Sequence, residues 1–275
     1  MRALIASPLG FLIGLSLGAL GGGGSILAVP ALVYGAGQDP KAATTTSLLL
    51  VGVAALVGMG THWRAGRVRV QTGIVFGLCG IGGSLAGSAI NKHINPDVLL
   101  LGFAGLTLIA AWRMITGCPT CTKVGETVAL NNGGAGNEIS SGTTLIATRV
   151  DIRAAAIVLA AGTVVGLLTG LFGVGGGFVI VPALVLALKL PMPEAIGTSL
   201  LVIAINSVVA LSNRIATTSI DWGVTFPFMI AAVLGVVSGS RIANRLDPKR
   251  SLRWFAALLV AVATYTAISA GAALL

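Results

Sequence analysis

The stretch GLSLGALGGGGSILAVPAL, residues 14–32, returns 152 positions later as GLLTGLFGVGGGFVIVPAL, residues 166–184. Ten of the nineteen aligned positions are identical, including most of the glycines and the closing Val-Pro-Ala-Leu. Each copy is an apolar run, a cluster of glycines and a shorter apolar run that contains a proline. Adjacent glycines at the centre of a helix cost about 1 kcal/mol each relative to alanine. The pattern therefore predicts two half-helices that meet at an irregular turn.

The composition identifies the class of protein. Of the 275 residues, 55% are hydrophobic and only 9% are charged, and the mean hydropathy of +0.98 lies outside the range of water-soluble domains. Apolar runs of about 18 residues or more, which is long enough to cross a bilayer, recur along the chain. The net charge of +9 comes from basic residues that lie between those runs, so we attribute it to membrane topology and not to nucleic-acid binding.

The chain divides into two glycine-broken helix pairs, six further apolar runs and one polar segment. The broken pairs are predicted over about 9–36 and 154–188. The polar segment, 117–152, contains CPTC, NNGGAGNE and SSGTT, and it is the one long loop. Membrane-spanning helices are predicted at about 43–61, 71–90, 97–116, 194–213, 223–242 and 251–273.

The 152-residue offset persists well beyond the glycines. The run Thr46–Leu49 matches Thr198–Leu201 without a gap, and the identities at this offset include Phe103 with Phe255 and Ala104 with Ala256. A long internal repeat of this kind indicates one repeat-built unit. We therefore predict a single membrane transporter domain over residues 1–275, with repeat 1 at about 9–116, a polar linker at 117–152 and repeat 2 at about 154–273.

The distribution of lysine and arginine orients the two repeats. If each broken pair crossed the membrane once, the seventeen basic residues would divide almost evenly between the two sides. If each pair enters and leaves on the same side, the repeats are inverted, and thirteen basic residues face one side against four on the other. Because cytoplasmic loops carry the excess of basic residues, the second arrangement is predicted. The predicted fold is an all-α polytopic membrane protein of two inverted repeats, each a glycine-broken helix pair followed by three transmembrane helices, as is typical of secondary transporters.

Three motifs resemble those of the sulfite exporter TauE/SafE family. Both glycine-rich segments end in Val-Pro-Ala-Leu, and each is followed by a helix start rich in Thr and Ser, TTTSLLL at 44–50 and GTSLLV at 197–202. The third motif is a His-x-Arg-x-Gly stretch that starts at His62. The resemblance covers nearly the whole chain except 117–152. It implies a secondary transporter, not an enzyme, that exports sulfite, a sulfonate or a similar organosulfur anion across the bacterial inner membrane.

The glycine breaks are the predicted substrate site, near the middle of the membrane. A half-helix that starts just after the glycines, at Ser25 or Gly177, directs its N-terminus into the membrane, where free N–H groups suit an oxyanion. Glycine lets the backbone approach a ligand closely, and Ser207 is one of the nearby polar donors. The alternative is a packing role, because small residues are common wherever transmembrane helices pack closely. The predicted binding residues are Gly22, Gly23, Gly24, Ser25, Thr46, Ser47, Gly175, Gly176, Gly177, Thr198, Ser199 and Asn206.

A basic segment near residue 65 is predicted to gather anions and to gate the path. These roles are assigned to His62, Arg64 and Arg67, although membrane topology explains the arginines at least as well. An imidazole titrates near neutral pH, but a histidine beside a basic loop is expected to be a solvated interfacial residue. All eight acidic residues lie in loops or at span ends, so no carboxylate proton relay is predicted. An anion that leaves a cell negative inside gains about 2.3 kcal/mol per charge per 100 mV, which is sufficient to drive export.

The last sequence features are the cysteines, which bear on the alternative functions. Cys118 and Cys121 form a CxxC motif, but no second CxxC or nearby histidine completes a zinc site, so neither a metal nor a cofactor is predicted. A redox pair and two incidental thiols both stay open. A thiol–disulfide redox carrier would need a cysteine in each half, whereas Cys79 aligns with Ala231; this carrier and a passive anion channel are the alternative functions. The expected partners are a small anionic substrate and the lipid bilayer, without nucleic acid, and a homo-oligomer is compatible with the sequence.

Overall fold

The computed structural model describes residues 2–38, 40–91, 96–116, 152–172, 177–214, 221–245 and 248–274. Within these ranges the chain forms ten α-helices and no β-strand, and a π-helical turn, Ala31–Gly35, extends the second helix. Apart from Ile152, the predicted linker at 117–152 lies outside the described residues. The helices are α1 (Arg2–Leu20), α2 (Gly23–Pro30), α3 (Pro40–Arg64), α4 (Val70–Asn91), α5 (Pro96–Thr116), α6 (Ile152–Phe172), α7 (Gly177–Leu186), α8 (Met192–Arg214), α9 (Trp222–Arg245) and α10 (Pro248–Leu274).

The helix boundaries match the predicted segments to within a few residues, except that α1 begins at Arg2 and not near residue 9. The six predicted spans correspond to α3, α4, α5, α8, α9 and α10, and the two broken pairs correspond to α1 with α2 and α6 with α7. The chain is therefore an all-α, multi-pass membrane protein. Among the described residues, four helical segments are long and apolar enough to cross a membrane by length and composition, namely Ala42–Arg64, Val70–Ile90, Met192–Ser212 and Trp222–Ala243.

The first glycine break is a tight reversal between α1 and α2. After α1 ends at Leu20, Gly21 has a φ of +75°, a left-handed conformation that favours glycine. α2 then returns along α1, so that a side chain at Gly24 would meet the carbonyl oxygen of Ile13. Two half-helices at an irregular turn are what the sequence predicts, although α2 begins at Gly23, two residues earlier than expected.

Rows of glycine hold the two halves of the chain together. A row on α1 lies against the backbone of α9, where a side chain at Gly14 would overlap the carbonyl oxygen of Ala232. A matching row on α6 lies against α4, where a side chain at Gly166 would overlap the carbonyl oxygen of Gly80. Small residues at every fourth position let transmembrane helices approach closely. The two rows are Gly10, Gly14 and Gly18 on α1, and Gly162, Gly166 and Gly170 on α6.

The contacts between helices give their relative directions. Gly52 of α3 lies against Ser207 of α8, and Gly58 lies against Leu200, so α3 and α8 run antiparallel. Nε2 of His62, near the end of α3, lies 3.4 Å from a backbone carbonyl oxygen near the end of α1. Consequently α1 and α3 finish at the same end of the bundle, because α2 has brought the chain back between them.

The bundle therefore has two distinct ends. At the basic face α1 and α3 end and α4 and α8 begin, and the residues there include Arg64, Arg67 and Arg69. At the opposite face α3 begins and α4 and α8 end. Between the two faces a buried apolar core contains Leu17, Phe76, Phe178, Leu184, Leu200, Phe228 and Phe255.

Candidate functional site

A cavity of about 240 Å³ lies between the centre of the bundle and the opposite face. Helices α2, α3, α4, α6 and α8 form its walls, so both halves of the chain contribute. Half of the sixteen lining residues carry hydroxyl or amide groups, and none of the sixteen is charged. The polar residues are Ser25, Thr44, Ser47, Ser84, Ser88, Thr169, Asn206 and Ser207, and the others are Val29, Leu48, Val51, Ile81, Leu85, Gly170, Val209 and Ala210.

Three of the lining hydroxyls are bonded to their own helices in this conformation. A hydroxyl that rotates toward a bound anion exchanges a neutral hydrogen bond for a charge-assisted one, which is the stronger of the two. The cavity can therefore donate to an anion even though these protons are engaged in this conformation. The bonds run from Ser25 Oγ to the Gly22 oxygen at 2.7 Å, from Ser47 Oγ to the Thr44 oxygen at 2.8 Å, and from Thr169 Oγ1 to the Val165 oxygen at 2.7 Å.

Asn206 is a lining residue with a buried, unpaired polar atom. Its Oδ1 atom is buried and has no hydrogen-bond partner in the described structure. Buried polar atoms are nearly always paired in proteins. The amide NH2 group can donate to an oxyanion, whereas the unpaired Oδ1 needs a donor such as a water molecule or a protonated group of the ligand.

The two glycine breaks meet beside the cavity. A side chain at Gly22 would overlap the backbone of Gly177, and a side chain at Gly177 would lie 2.5 Å from Ser25 Oγ. Gly22 is the N-cap of α2, and no side chain caps that N-terminus. The positive end of the α2 dipole therefore lies next to the cavity at Ser25, which is a favourable position for negative charge.

The residues 152 positions away from the cavity lining form a second region, which we call the sealed counterpart. Six of the eight polar lining residues correspond there to aliphatic residues or glycine. The aliphatic side chains are at most 2% exposed, so the described part of this region has no comparable space. The correspondences are Ser25 with Gly177, Thr44 with Ile196, Ser84 with Val236, Thr169 with Leu17, Asn206 with Ala54 and Ser207 with Ala55.

Of the predicted binding residues that the structure describes, three line the cavity: Ser25, Ser47 and Asn206. The neighbouring glycines have packing contacts instead. A side chain at Gly23 would lie 2.7 Å from a methyl group of Leu258 on α10, and Gly24 packs on α1. The alternative that the sequence left open, close helix packing, therefore describes these two glycines.

The other predicted binding residues lie away from the cavity or outside the described ranges. Thr46, Thr198 and Ser199 are buried but do not belong to the lining. Ser199 Oγ donates to the carbonyl oxygen of Ile196, one turn back in α8. The predicted binding residues that fall outside the described residues are Gly175 and Gly176.

At the basic face the loop after α3 contacts the first turns of α8. The backbone N–H of Arg69 donates to Thr198 Oγ1 at 3.1 Å, and the Arg69 guanidinium forms an ion pair with Glu194. A side chain at Gly197 would lie 2.5 Å from the carbonyl oxygen of Arg67. The loop after α3 therefore rests directly on α8 at this end of the bundle.

The expectation that His62 is a solvated interfacial residue is wrong, since its side chain is only 1% exposed. α3 continues to Arg64, so the ring lies inside the bundle against α1 and not in the loop. Its Nδ1 atom is buried without a hydrogen-bond partner in the described structure. Arg64 is exposed and Arg67 is half-buried, which leaves Arg64 accessible to anions at the surface.

Four polar lining residues were not predicted from the sequence: Thr44, Ser84, Ser88 and Thr169. Ser84 and Ser88 are four residues apart and therefore share one side of α4, a spacing that can be read from sequence. A repeat comparison favours residues shared by the two halves, whereas the cavity uses residues that differ.

Within the described ranges no three His, Cys, Asp or Glu side chains could hold a metal ion, and Cys118 and Cys121 lie outside those ranges.

Comparison with known proteins identifies relatives over most of the chain. The family model for the sulfite exporter TauE/SafE matches residues 6–266. Two proteins of Xylella fastidiosa (strains Temecula1 and 9a5c), each named a probable membrane transporter protein, are 31% and 32% identical over 259 residues, which cover 93% of this chain and 91% of theirs. The probable membrane transporter protein YunE of Bacillus subtilis is 25% identical over 261 residues, covering 90% of this chain and 88% of its own. No solved structure matches the chain.

Proposed function

We propose that this chain, which belongs to the sulfite exporter TauE/SafE family and is a membrane transporter, exports a small sulfur-containing oxyanion across the bacterial inner membrane. The proposed substrate is sulfite, a sulfonate or a similar organosulfur anion, and the proposal assigns no catalytic step. The observation that carries it is the polar cavity inside the bundle, beside the uncapped N-terminus of α2.

The cavity chemistry suits an oxyanion that must be released again. Serine and threonine hydroxyls and the Asn206 amide can donate to several oxygens at once, as the three oxygens of sulfite or of a sulfonate group require. Aliphatic residues such as Val51 and Leu85 can contact an organic substituent. Because no charged residue is among those lining the cavity, binding relies on hydrogen bonds and the helix dipole, and the anion is not held by a fixed ion pair.

We further propose that the two repeats are inverted, with the basic face in the cytoplasm. The antiparallel directions of α3 and α8, which are corresponding helices of the two repeats, support inversion. The division of the basic residues into thirteen and four supports a cytoplasmic basic face. With this orientation the cavity opens away from the cytoplasm, and outward movement of an anion follows the membrane potential.

A carrier is favoured over a passive channel by the sealed counterpart. A channel would need a continuous path, whereas the residues corresponding to the cavity lining are tightly buried near the basic face. Inverted repeats of this kind transport by opening alternately to the two sides of the membrane. The proposed mechanism is therefore alternate opening around the cavity.

Flux measurements in reconstituted vesicles test the proposal. We expect saturable flux of sulfite or sulfoacetate with counterflow, while sulfate and thiosulfate serve as comparison anions. Flux should follow the imposed membrane potential and persist when the pH gradient is collapsed. Absence of flux for every sulfur oxyanion would overturn the substrate assignment, and flux that neither saturates nor shows counterflow would indicate a channel.

His62→Gln provides a check on the driving force. The imidazole is buried against α1 and lies outside the cavity lining, so we expect a modest change in rate and an unchanged dependence on potential. Flux of the variant is measured at fixed potential with and without a pH gradient. If wild-type flux follows the pH gradient and the variant loses it, proton coupling through His62 replaces the uncoupled mechanism.

A further inference from the structure

A hydrogen bond on the closed basic face has a counterpart that is not formed on the opposite face. Near the basic face, the backbone N–H of Arg69 donates to Thr198 Oγ1 at 3.1 Å. The residues 152 positions away are Asp221 and Thr46. Thr46 is completely buried, and its Oγ1 atom has no hydrogen-bond partner in the described structure. Corresponding positions are thus bonded where the bundle is closed and unbonded on the side of the cavity.

The unpaired hydroxyl of Thr46 requires an explanation. A buried polar group without a partner is costly, and such groups are rare in folded proteins. Thr46 does not belong to the cavity lining, so a ligand in the cavity is not its evident partner. An atom that is unpaired in one conformation and paired in another accounts for the presence of threonine at this position in both repeats.

Asp221 occupies the position from which such a partner would come. It immediately precedes α9, as Arg69 immediately precedes α4. In this conformation Asp221 is exposed, and its carboxylate caps α9 by accepting from the backbone N–H of Gly223 at 3.0 Å. The backbone N–H of Asp221 is the counterpart of the Arg69 N–H that is bonded on the closed face.

We propose that Thr198 and Thr46 are alternating acceptors in a two-sided gate. In the conformation described here, the Arg69 N–H bond to Thr198 closes the basic face and Thr46 is unpaired. In the other conformation the bond to Thr198 is broken, and the Asp221 N–H donates to Thr46 Oγ1 as the opposite face closes. This inference rests on the proposed transport by alternate opening, and not on the identity of the anion.

The two closures are not equal in strength. The ion pair of Arg69 with Glu194 has no equivalent, because the corresponding residues are Asp221 and Ala42. Gly197, which allows the carbonyl oxygen of Arg67 to come close to α8, corresponds to Thr45, whose side chain prevents an equally close approach. Both differences favour closure of the basic face, which is the closure that the structure has.

Cysteine accessibility tests the gate without a substrate. In a background lacking the native cysteines, Ala54→Cys reports on the sealed counterpart and Ser88→Cys reports on the exposed end of the cavity. Thr198→Val should raise the labelling rate of the Ala54→Cys reporter about fivefold, the shift that one net hydrogen bond produces, and lower that of the Ser88→Cys reporter. Thr46→Val should shift both rates in the opposite directions. Thr198→Ser keeps the hydroxyl and should restore the wild-type rates.

Thr107→Val is the matched control, because Thr107 is a buried threonine of α5 whose hydroxyl bonds only to carbonyl oxygens of its own helix. It should leave both reporters unchanged. The gate is overturned if Thr46→Val and Thr198→Val shift the reporters in the same direction, or if neither shifts them. Since labelling needs no substrate, opposite shifts together with absent sulfur oxyanion flux would retain the gate and reject only the substrate, and the reverse result would reject only the gate.

Discussion

The cavity beside α2 and the sealed counterpart are built from corresponding positions of two repeats, yet the described aliphatic side chains of the sealed counterpart are almost completely buried, whereas the first region encloses a cavity. The cavity has a volume of about 240 Å³ and eight polar side chains. In the sealed counterpart Leu17, Ala54 and Val236 are buried to 2% exposure or less. At the 152-residue offset, corresponding helices of the two repeats begin within two residues of each other. The positions of the helices along the chain are therefore not the cause of the difference.

The residues that the two repeats share set the packing of the helices. The residues that differ between the repeats form the site. Residues shared by both halves, such as Gly14 with Gly166, hold helices together at close range. Residues that differ, such as Asn206 with Ala54, decide which side of the centre can hold a polar ligand. The closed basic face adds a second asymmetry through the Arg69–Glu194 ion pair.

The largest effect is expected when the contact between the two breaks is disrupted. In Gly22→Val the new side chain would overlap the backbone of Gly177, and overpacking of this kind costs about 1–3 kcal/mol or more. We expect a lower thermal unfolding temperature in detergent and loss of flux. Gly60→Ala is the control, because a side chain there meets nothing within 4 Å. Equal unfolding temperatures for the two variants would contradict the packed contact.

The next effect makes the cavity resemble its sealed counterpart. Asn206→Ala combined with Ser84→Val introduces the residues found at positions 54 and 236, removing two polar groups and adding apolar volume. We expect flux to fall more than tenfold, on the basis of about 1 kcal/mol for each lost hydrogen bond, while the protein stays folded. The reverse pair, Ala54→Asn with Val236→Ser, should lower stability without raising flux. A gain of flux in the reverse pair would contradict the assignment of the cavity beside α2 as the binding region.

A single hydroxyl deletion should have a smaller effect. Ser25→Ala removes the donor at the N-terminus of α2, and we expect the KM for the transported anion to rise about fivefold. Ser212→Ala is matched to it, since Ser212 is exposed and its hydroxyl also bonds one turn back, to the Val209 oxygen. Flux measured over a range of substrate concentrations separates KM from the maximal rate. Equal KM values for both variants would remove Ser25 from the binding site.

The smallest effect is expected at the ion pair of the basic face. Arg69→Gln removes the pair with Glu194 but keeps the backbone N–H that bonds to Thr198. Exposed ion pairs contribute about 0–1 kcal/mol and weaken as salt increases. Labelling of the Ala54→Cys reporter should therefore rise less than about fivefold, and the difference from wild type should shrink at high salt. A larger change that does not depend on salt would mean that the Arg69 side chain stabilises the closed face by an interaction other than the ion pair with Glu194.

The helices were predictable because the signals that specify them are local. A bilayer requires internally bonded backbone, so apolar length alone located α3, α4 and α8 to within a few residues. The glycine cluster located the reversal after Leu20, because Gly21 needs a positive φ that few other residues adopt.

The site was only partly predictable because it depends on contacts between the halves. Ser25 and Asn206 were expected as donors near the centre of the bundle, and they line the cavity. Thr169 reaches the same cavity only because the glycine row of α6 packs on α4, which no local pattern encodes. The environment of His62 was misjudged for the same reason, since its burial depends on the return of α2 that brings α1 against α3.

Ligand protection of a cysteine at the cavity tests the central claim most directly. With Ser88→Cys in a cysteine-free background, sulfoacetate should slow maleimide labelling in a saturable manner, with half-protection near the KM for flux. The same concentration of gluconate should have no effect, and labelling of Ser212→Cys, which is exposed and outside the cavity lining, should not change. If sulfoacetate is transported but does not protect the Ser88→Cys reporter, or protects both cysteines equally, the cavity is not where the anion binds.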